Sequence, residues 1–99
     1  MTLNVNPATV LASAATEGAV SAEVASATAA AAAVLTTVMP MGADLDSVEF
    51  AAALNAAGAA YIGTAGQHLT NRGMFAGSQD LAAATYAVTD AISNTALAL

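Results

Sequence analysis

The chain has no cysteine and no tryptophan, and Arg72 is the only strong base among its 99 residues. Without cysteine there is no disulfide, no thiolate nucleophile and no cysteine metal ligand. Nucleic-acid affinity rests on Lys and Arg neutralising phosphates. One Arg against seven acidic residues, for a net charge of −6, excludes that class. The same balance disfavours an anionic membrane surface. His68 is the only histidine, so a metal or acid–base site there would lack the partners it needs. It reads as a packed or rim residue. Asp44, Asp46 and Glu49 do not have the repeated oxygen-ligand spacing of a calcium loop. No nucleophile elbow, phosphate-binding loop or dinucleotide fingerprint is present. The residues therefore predict no enzyme, no cofactor and no metal site.

A secretory signal is also missing, because no Lys or Arg precedes Arg72 to form a positive leader. If the protein leaves the cytoplasm, it does so without a classical signal. Residues Val24 to Ala43 are uncharged over a length that raises the question of a membrane span. Alanine, serine and threonine are only weakly apolar, however, and Pro40 and Gly42 interrupt the run.

What the chain has in quantity is alanine, which dominates a hydrophobic fraction of 58%. Asn6-Pro7 is a helix opening, with Asn as N-cap and Pro as first helical residue. The helical pattern then runs to about Met39. One stripe carries Val10, Val20, Val24, Ala27, Ala31, Val34 and Val38, and a second, mostly small, carries Leu11, Ala15, Gly18, Ala22, Ala25, Ala29, Ala32, Leu35 and Met39. At Pro40 the helix must stop, since proline lacks the N–H and pushes Met39 out of the α region. Gly42 offers a residue free to take positive φ. Asp44 or Asp46 can cap a new helix, with Glu49 placed to close a capping box on Asp46. The expected order is helix 7–39, turn 40–46 and a second helix from about 47.

The second helix carries two stripes as well. Val48, Ala51, Asn55, Gly58, Ile62, Ala65 and Leu69 form one, and Phe50, Leu54, Ala57, Tyr61, His68 and Phe75 the other. Glycines at 58, 63 and 66 fit a close helix–helix approach, and Gly73 and Gly77 predict a break near 73–78. Residues 91–99 read as a frayed tail after a single hairpin domain at 1–90. Burial returns about 25 cal/mol per Å², against roughly 1.5 kcal/mol of ordering entropy per residue. A two-helix hairpin filled mostly with alanine does not balance those terms alone. The fold class is thus all-α: an antiparallel helical hairpin forming half of a four-helix bundle with a partner protein. Its partner-facing candidates are Leu11, Val20, Val24, Leu35, Val38, Leu54, Tyr61, Ile62 and Leu69.

Tyr86 and Asp90 stand at i and i+4, on one helical face beyond the hairpin pattern. With that pair, the alanine run Ala27–Ala33, Thr36-Thr37, Pro40, Gly42-Ala43-Asp44, Ser47 and the mid-helix Tyr61, the chain resembles the mycobacterial PE family. It departs from the family at Pro7-Ala8, where the name-giving pair is Pro-Glu, and at the glycines 73 and 77. The resemblance covers most of the chain and is closest to the short members without a long extension. It implies a heterodimer with a PPE protein, an EspG-type cytosolic chaperone acting through the PPE subunit, and export of the folded pair by type VII (ESX) secretion machinery. By the same resemblance Tyr86 and Asp90 form the Tyr-x-x-x-Asp export signal. The protein would be cytoplasmic before export and then secreted or associated with the cell envelope.

Two other readings share some of these features. A WXG-type helical-hairpin secretion substrate should carry Trp-x-Gly at its turn, and this chain has no tryptophan. A membrane-active alanine-rich helix should be basic and free of proline in its span.

Overall fold

The computed structural model describes residues 3–99. It holds two long helices, α1 (Pro7–Thr36) and α2 (Leu45–Leu97), which form a helical hairpin with no strand among the described residues. The chain divides into two compact units, one of Ala22–Thr70 and one of Met1–Ser21 with Asn71–Leu99.

In the unit Ala22–Thr70, α1 ends three residues short of the expected Met39. A helical Pro40 would drive its ring into the carbonyl of residue 36 and leave that carbonyl without a donor. At this end the threonine hydroxyls bond back to the helix: Thr36 Oγ1 donates to the Ala32 carbonyl at 2.8 Å and Thr37 Oγ1 to that of Ala33 at 2.6 Å. Beyond the helix, the side chain of Asn55 clasps the backbone of Val38. Its Oδ1 accepts the Val38 N–H at 2.7 Å and its Nδ2 donates to the Val38 carbonyl at 3.1 Å. A peptide unit leaving a helix has lost both ladder partners, and one amide side chain on α2 supplies both.

The second helix opens earlier than expected, at Leu45, with Asp44 as its cap. Asp44 Oδ2 accepts the Ser47 N–H at 3.0 Å, and Ser47 Oγ donates to Asp44 Oδ1 at 2.9 Å. The reciprocal partner at the third helical position is therefore Ser47. Asp46 lies inside the first turn, not at the cap, and Glu49 is not its capping-box partner. Gly42 does not take positive φ either. Its role is steric, because a Cβ there would stand 2.6 Å from the Asp44 carboxylate.

The two helices of this unit meet along small residues. Val24, Thr28, Ala31 and Leu35 of α1 are half-buried, as are Asn55, Ile62, Ala65 and Leu69 of α2, while Ala51 and Gly58 are buried. Gly58 marks the closest approach: a Cβ at that position would lie 1.9 Å from the Leu35 carbonyl oxygen. That atom is backbone and cannot rotate away, so only glycine fits. Around Gly63 and Gly66 a Cβ would meet nothing within 4 Å, so these two are not contact glycines within the chain.

In the unit of Met1–Ser21 with Asn71–Leu99, Asn6 caps α1 as its residue type predicts. Its Oδ1 accepts the Thr9 N–H at 3.2 Å, and Pro7 opens the helix. Polar pairs tie α1 to α2 here. Arg72 Nη2 meets Glu17 Oε2 at 2.7 Å and its Nε donates to Ser21 Oγ at 3.3 Å, while Gln79 Nε2 donates to Ser13 Oγ at 2.9 Å. The Gln79 Oε1 atom is buried without a partner. Ala14 and Ala83 fill the remaining buried positions.

The expected break near 73–78 and the frayed tail at 91–99 are both absent, since α2 runs unbroken to Leu97. Each glycine costs a helix only about 1 kcal/mol, and no proline lies in α2 to remove a hydrogen bond. The tethers at Arg72 and Gln79 hold either side of Gly73 and Gly77. Farther on, Thr95 Oγ1 donates to the Ala91 carbonyl at 2.9 Å and the Ala98 N–H closes on the Asn94 carbonyl at 3.1 Å.

Gly58→Ala is expected to cost about 1–3 kcal/mol, the usual penalty for forcing volume into a packed contact. Gly73→Ala and Gly77→Ala, with open space around them, should each gain about 1 kcal/mol of helix stability. Chemical denaturation followed by circular dichroism checks both signs. The hydrogen bonds from the Ser47 N–H and hydroxyl hold the Asp44 carboxyl below the usual aspartate pKa. A carboxylate with a depressed folded pKa stabilises above its unfolded value, about 3.9, and that contribution is lost as pH falls through the folded pKa. Thermal melts below pH 4 should therefore show an acid-side loss that Asp44→Asn, which keeps the cap, reduces.

Candidate interaction surface

Buried and half-buried positions of α2 recur at 51, 55, 58, 62, 65 and 69, and those of α1 at 24, 28, 31 and 35. Alternating steps of 3 and 4 are the heptad seam of paired helices. In an antiparallel pair, the residues just before the seam positions of both helices share one side of the pair, and the residues just after share the other. In the unit Ala22–Thr70 the two sides differ in kind. One side carries Glu23, Ala27, Ala30 and Val34 from α1 with Phe50, Leu54, Ala57, Tyr61, Thr64 and His68 from α2. The other carries Ala25, Ala29 and Ala32 with Ala52, Ala56, Ala59, Gly63 and Gly66.

The bulky side is open to solvent, with Phe50 63% and Tyr61 60% exposed and Leu54 and Val34 exposed beside them. Leu54, Tyr61 and His68 are spaced by seven residues, so this face repeats the seam's own period one position away. A rotation of about 100° per residue turns it roughly a quarter-turn from the seam. Each helix of a four-helix bundle needs that angle between its two neighbours. His68 lies on this face as an exposed residue.

Sequence-predicted interface residues separate accordingly. Leu54 and Tyr61 stand on the open bulky face, whereas Val24, Leu35, Ile62 and Leu69 occupy the half-buried intrachain seam. Val38 is half-buried under the Asn55 clasp. The two spare stripes read from the sequence also fall on opposite sides. The small stripe of α1 lies with the alanines and glycines of α2, and the aromatics of α2 lie with Val34.

In the other unit, Val20 and Phe75 are exposed at positions just before the seam of their own helices, and Leu11 is exposed just after it. Continued in steps of 3 and 4 from Gln79 and Ala83, the α2 register reaches Tyr86 and Asp90. Ala83 is 1% exposed, and every residue from 84 to 99 is exposed. Tyr86 and Asp90 thus keep the orientation of seam residues over a stretch where α2 has outrun the start of α1. The result is an aromatic ring, 38% exposed, and a carboxylate one turn apart on one helical face.

At the turn, Val38, Met39, Pro40, Met41, Asp46, Ser47, Phe50, Ala51 and Leu54 line a cavity of about 310 Å³. Asn55, which stands on an α2 stripe in the sequence, and Glu17, Ser21, Ser13 and Gln79, which did not stand out there, hold the helices together. The signal was a heptad spacing in which polar residues occupy seam positions, with Ser13 one position before the seam residue Ala14.

Among the described residues, no group of three or more His, Asp or Glu side chains gathers to hold a metal ion. By length and composition α1 is apolar enough to cross a membrane, although Glu17 and Glu23 lie within it. A protein-family model described as PE family matches residues 3–93. Neither the curated proteins nor the solved structures give a match to the chain.

Proposed function

Because the chain belongs to the PE family, we propose that it is the PE subunit of a heterodimer with a PPE-type protein. Two helices of that partner cover the Phe50, Leu54 and Tyr61 face and complete a four-helix bundle. The observation that carries this reading is a thin seam, in which only small residues are fully buried, beside a large apolar face left open. Of the residues described, only Ala14, Ala51, Gly58 and Ala83 are buried. The accessible surface is 7131 Å², where a self-contained globular monomer of 9.5 kDa would expose about 5,000 Å². A chain with its bulky side chains outside is stabilised by covering them.

The pair is exported through type VII secretion machinery, and Tyr86 with Asp90 on one face of α2 is the element that machinery reads. An EspG-type chaperone acts on the PPE subunit before export, and the pair then resides outside the cytoplasm or at the cell envelope. The chain's part in this is recognition, with no catalytic step assigned to any residue.

Co-expression with a PPE-type protein should convert a poorly folded or aggregating chain into a soluble 1:1 helical complex. Leu54→Asp and Tyr61→Asp should abolish co-purification, because each would bury an unpaired carboxylate. Ala56→Asp, on the small-residue side, should leave the complex intact. A cooperative monomeric melt of the isolated chain, or loss of the partner from Ala56→Asp alone, would overturn the assignment. For export, Tyr86→Ala and Asp90→Ala are each expected to stop secretion while the heterodimer still forms in the cell. Normal secretion of both variants would remove the signal role from these residues.

A further inference from the structure

From residue 81 to residue 99 Asp90 is the only charged side chain, and every residue from 84 to 99 is exposed. Over this stretch the bulky positions change face. Phe75 stands just before the seam, and the positions that follow it at seven-residue steps are Ala82, Thr89 and Ala96. The larger side chains move instead to Leu81, Val88, Ile92 and Leu99, and Thr85 and Thr95 complete steps of 4, 3, 4, 3 and 4 between them. Leu81 is 70%, Val88 59% and Ile92 64% exposed. Two shallow hollows lie along this stripe. One is lined by Ala84, Thr85, Val88 and Thr89, and the other by Ala91, Ile92, Thr95, Ala96 and Leu99. Asp90 stands two residues from both Val88 and Ile92, so it lies about 160° around the helix from each. The stripe shares no residue with the Phe50, Leu54 and Tyr61 face, which belongs to the other unit.

We propose that this stripe is a tail-to-tail contact between two copies of the chain, with the ends of their α2 helices antiparallel. A stripe at alternating steps of 3 and 4 is the seam of a paired helix. Centred on residue 90, the antiparallel register sets Leu81 against Leu99, Thr85 against Thr95 and Val88 against Ile92 of the second copy. Each layer joins side chains of like size and polarity, and the threonine hydroxyls bond one another instead of being buried alone. Ala84, Thr89, Ala91, Ala96 and Ala98 flank the stripe and let the two backbones come close. Charge selects the occupant. Elsewhere a second copy meets a chain of net charge −6, whereas here both surfaces are uncharged. Antiparallel helices also send the acidic remainder of each α2 in opposite directions, where parallel ones would lay like charges side by side. A helix built for a membrane surface would carry Lys or Arg beside its apolar face, and neither follows Arg72. The contact spans about 27 Å of helix and falls short of the roughly 800 Å² per partner of a standard interface, so it is a weak, concentration-dependent association. It leaves Asp90 on the outer side, and it does not depend on the four-helix reading.

The test takes the full chain in its soluble form, alone or as the co-expressed complex, through sedimentation velocity over a concentration series. The mass should rise toward two copies of the chain per particle. Val88→Asp and Ile92→Asp should each weaken that association at least about tenfold, because each places an unpaired carboxylate in the contact. Ala87→Asp adds the same charge off the stripe and should change it by less than about twofold. Circular dichroism checks that all three variants keep the helical content of the parent. The chain has no cysteine, so Thr85→Cys and Thr95→Cys each carry a single thiol. A mixture of these two variants should form disulfides between positions 85 and 95 on mild oxidation, while neither variant links to itself. A mass that stays at one copy at every concentration overturns the proposal, as does equal weakening by Ala87→Asp. Self-linking of Thr85→Cys overturns it too, since that requires parallel helices.

Discussion

The contact on which the hairpin depends is the approach of Gly58 to the Leu35 carbonyl, where no side-chain atom fits. Helices brought this near must present small residues along their shared seam, and Ala51, Ala65, Ala31 and Thr28 do so. Small residues permit contact but return little burial energy, since the hydrophobic term scales with the apolar area removed from water. Backbone proximity and a large core therefore exclude one another within this chain. Val24, Leu35, Ile62 and Leu69 stay half-buried toward the seam, while Phe50, Leu54 and Tyr61 collect one register step away in solvent.

Polar groups supply the specificity that a uniform alanine seam lacks. An alanine-on-alanine interface slides at little cost, because one methyl group packs much like the next. Asn55 on Val38 fixes the seam beside the turn, and Arg72 with Glu17 and Gln79 with Ser13 fix it in the other unit. Partly exposed ion pairs contribute little to stability, so the value of the Arg72–Glu17 contact lies in register. The chain has one strong base, and its placement opposite Glu17 leaves the acidic residues on the rest of the surface without intrachain cations.

Much of this was legible in the sequence, and the gaps have physical causes. The hairpin, the Asn6-Pro7 opening and an acidic cap after the turn follow from local chemistry that tertiary packing did not override. The helix boundaries moved because Pro40 acts four residues back through a carbonyl clash, and because Asp44 has a serine partner closer than the Asp46–Glu49 pair. The break at Gly73 and Gly77 was misread, since glycine weakens a helix without ending it when contacts on either side hold the backbone. The seam itself was only half visible. On α2 the stripe of Ala51, Asn55, Gly58, Ile62, Ala65 and Leu69 coincides with the seam, whereas on α1 the polar Glu17, Ser21 and Thr28 stand at seam positions that hydrophobic periodicity does not mark. The two spare stripes looked equivalent until the antiparallel register put them on opposite sides.

That two-sidedness bears on how a partner recognises this chain. A surface of alanines and glycines has little relief and no distinctive side chain, so it cannot select one helix pair from another. The Phe50, Leu54 and Tyr61 side chains offer rings and branches, and knobs of different shape demand matching holes. Recognition along this side is set by shape. Beyond Ala83, Tyr86 and Asp90 continue the register of the α2 seam. The close approach of Gly58 to the Leu35 carbonyl, which holds the helices together, is also what leaves this face uncovered.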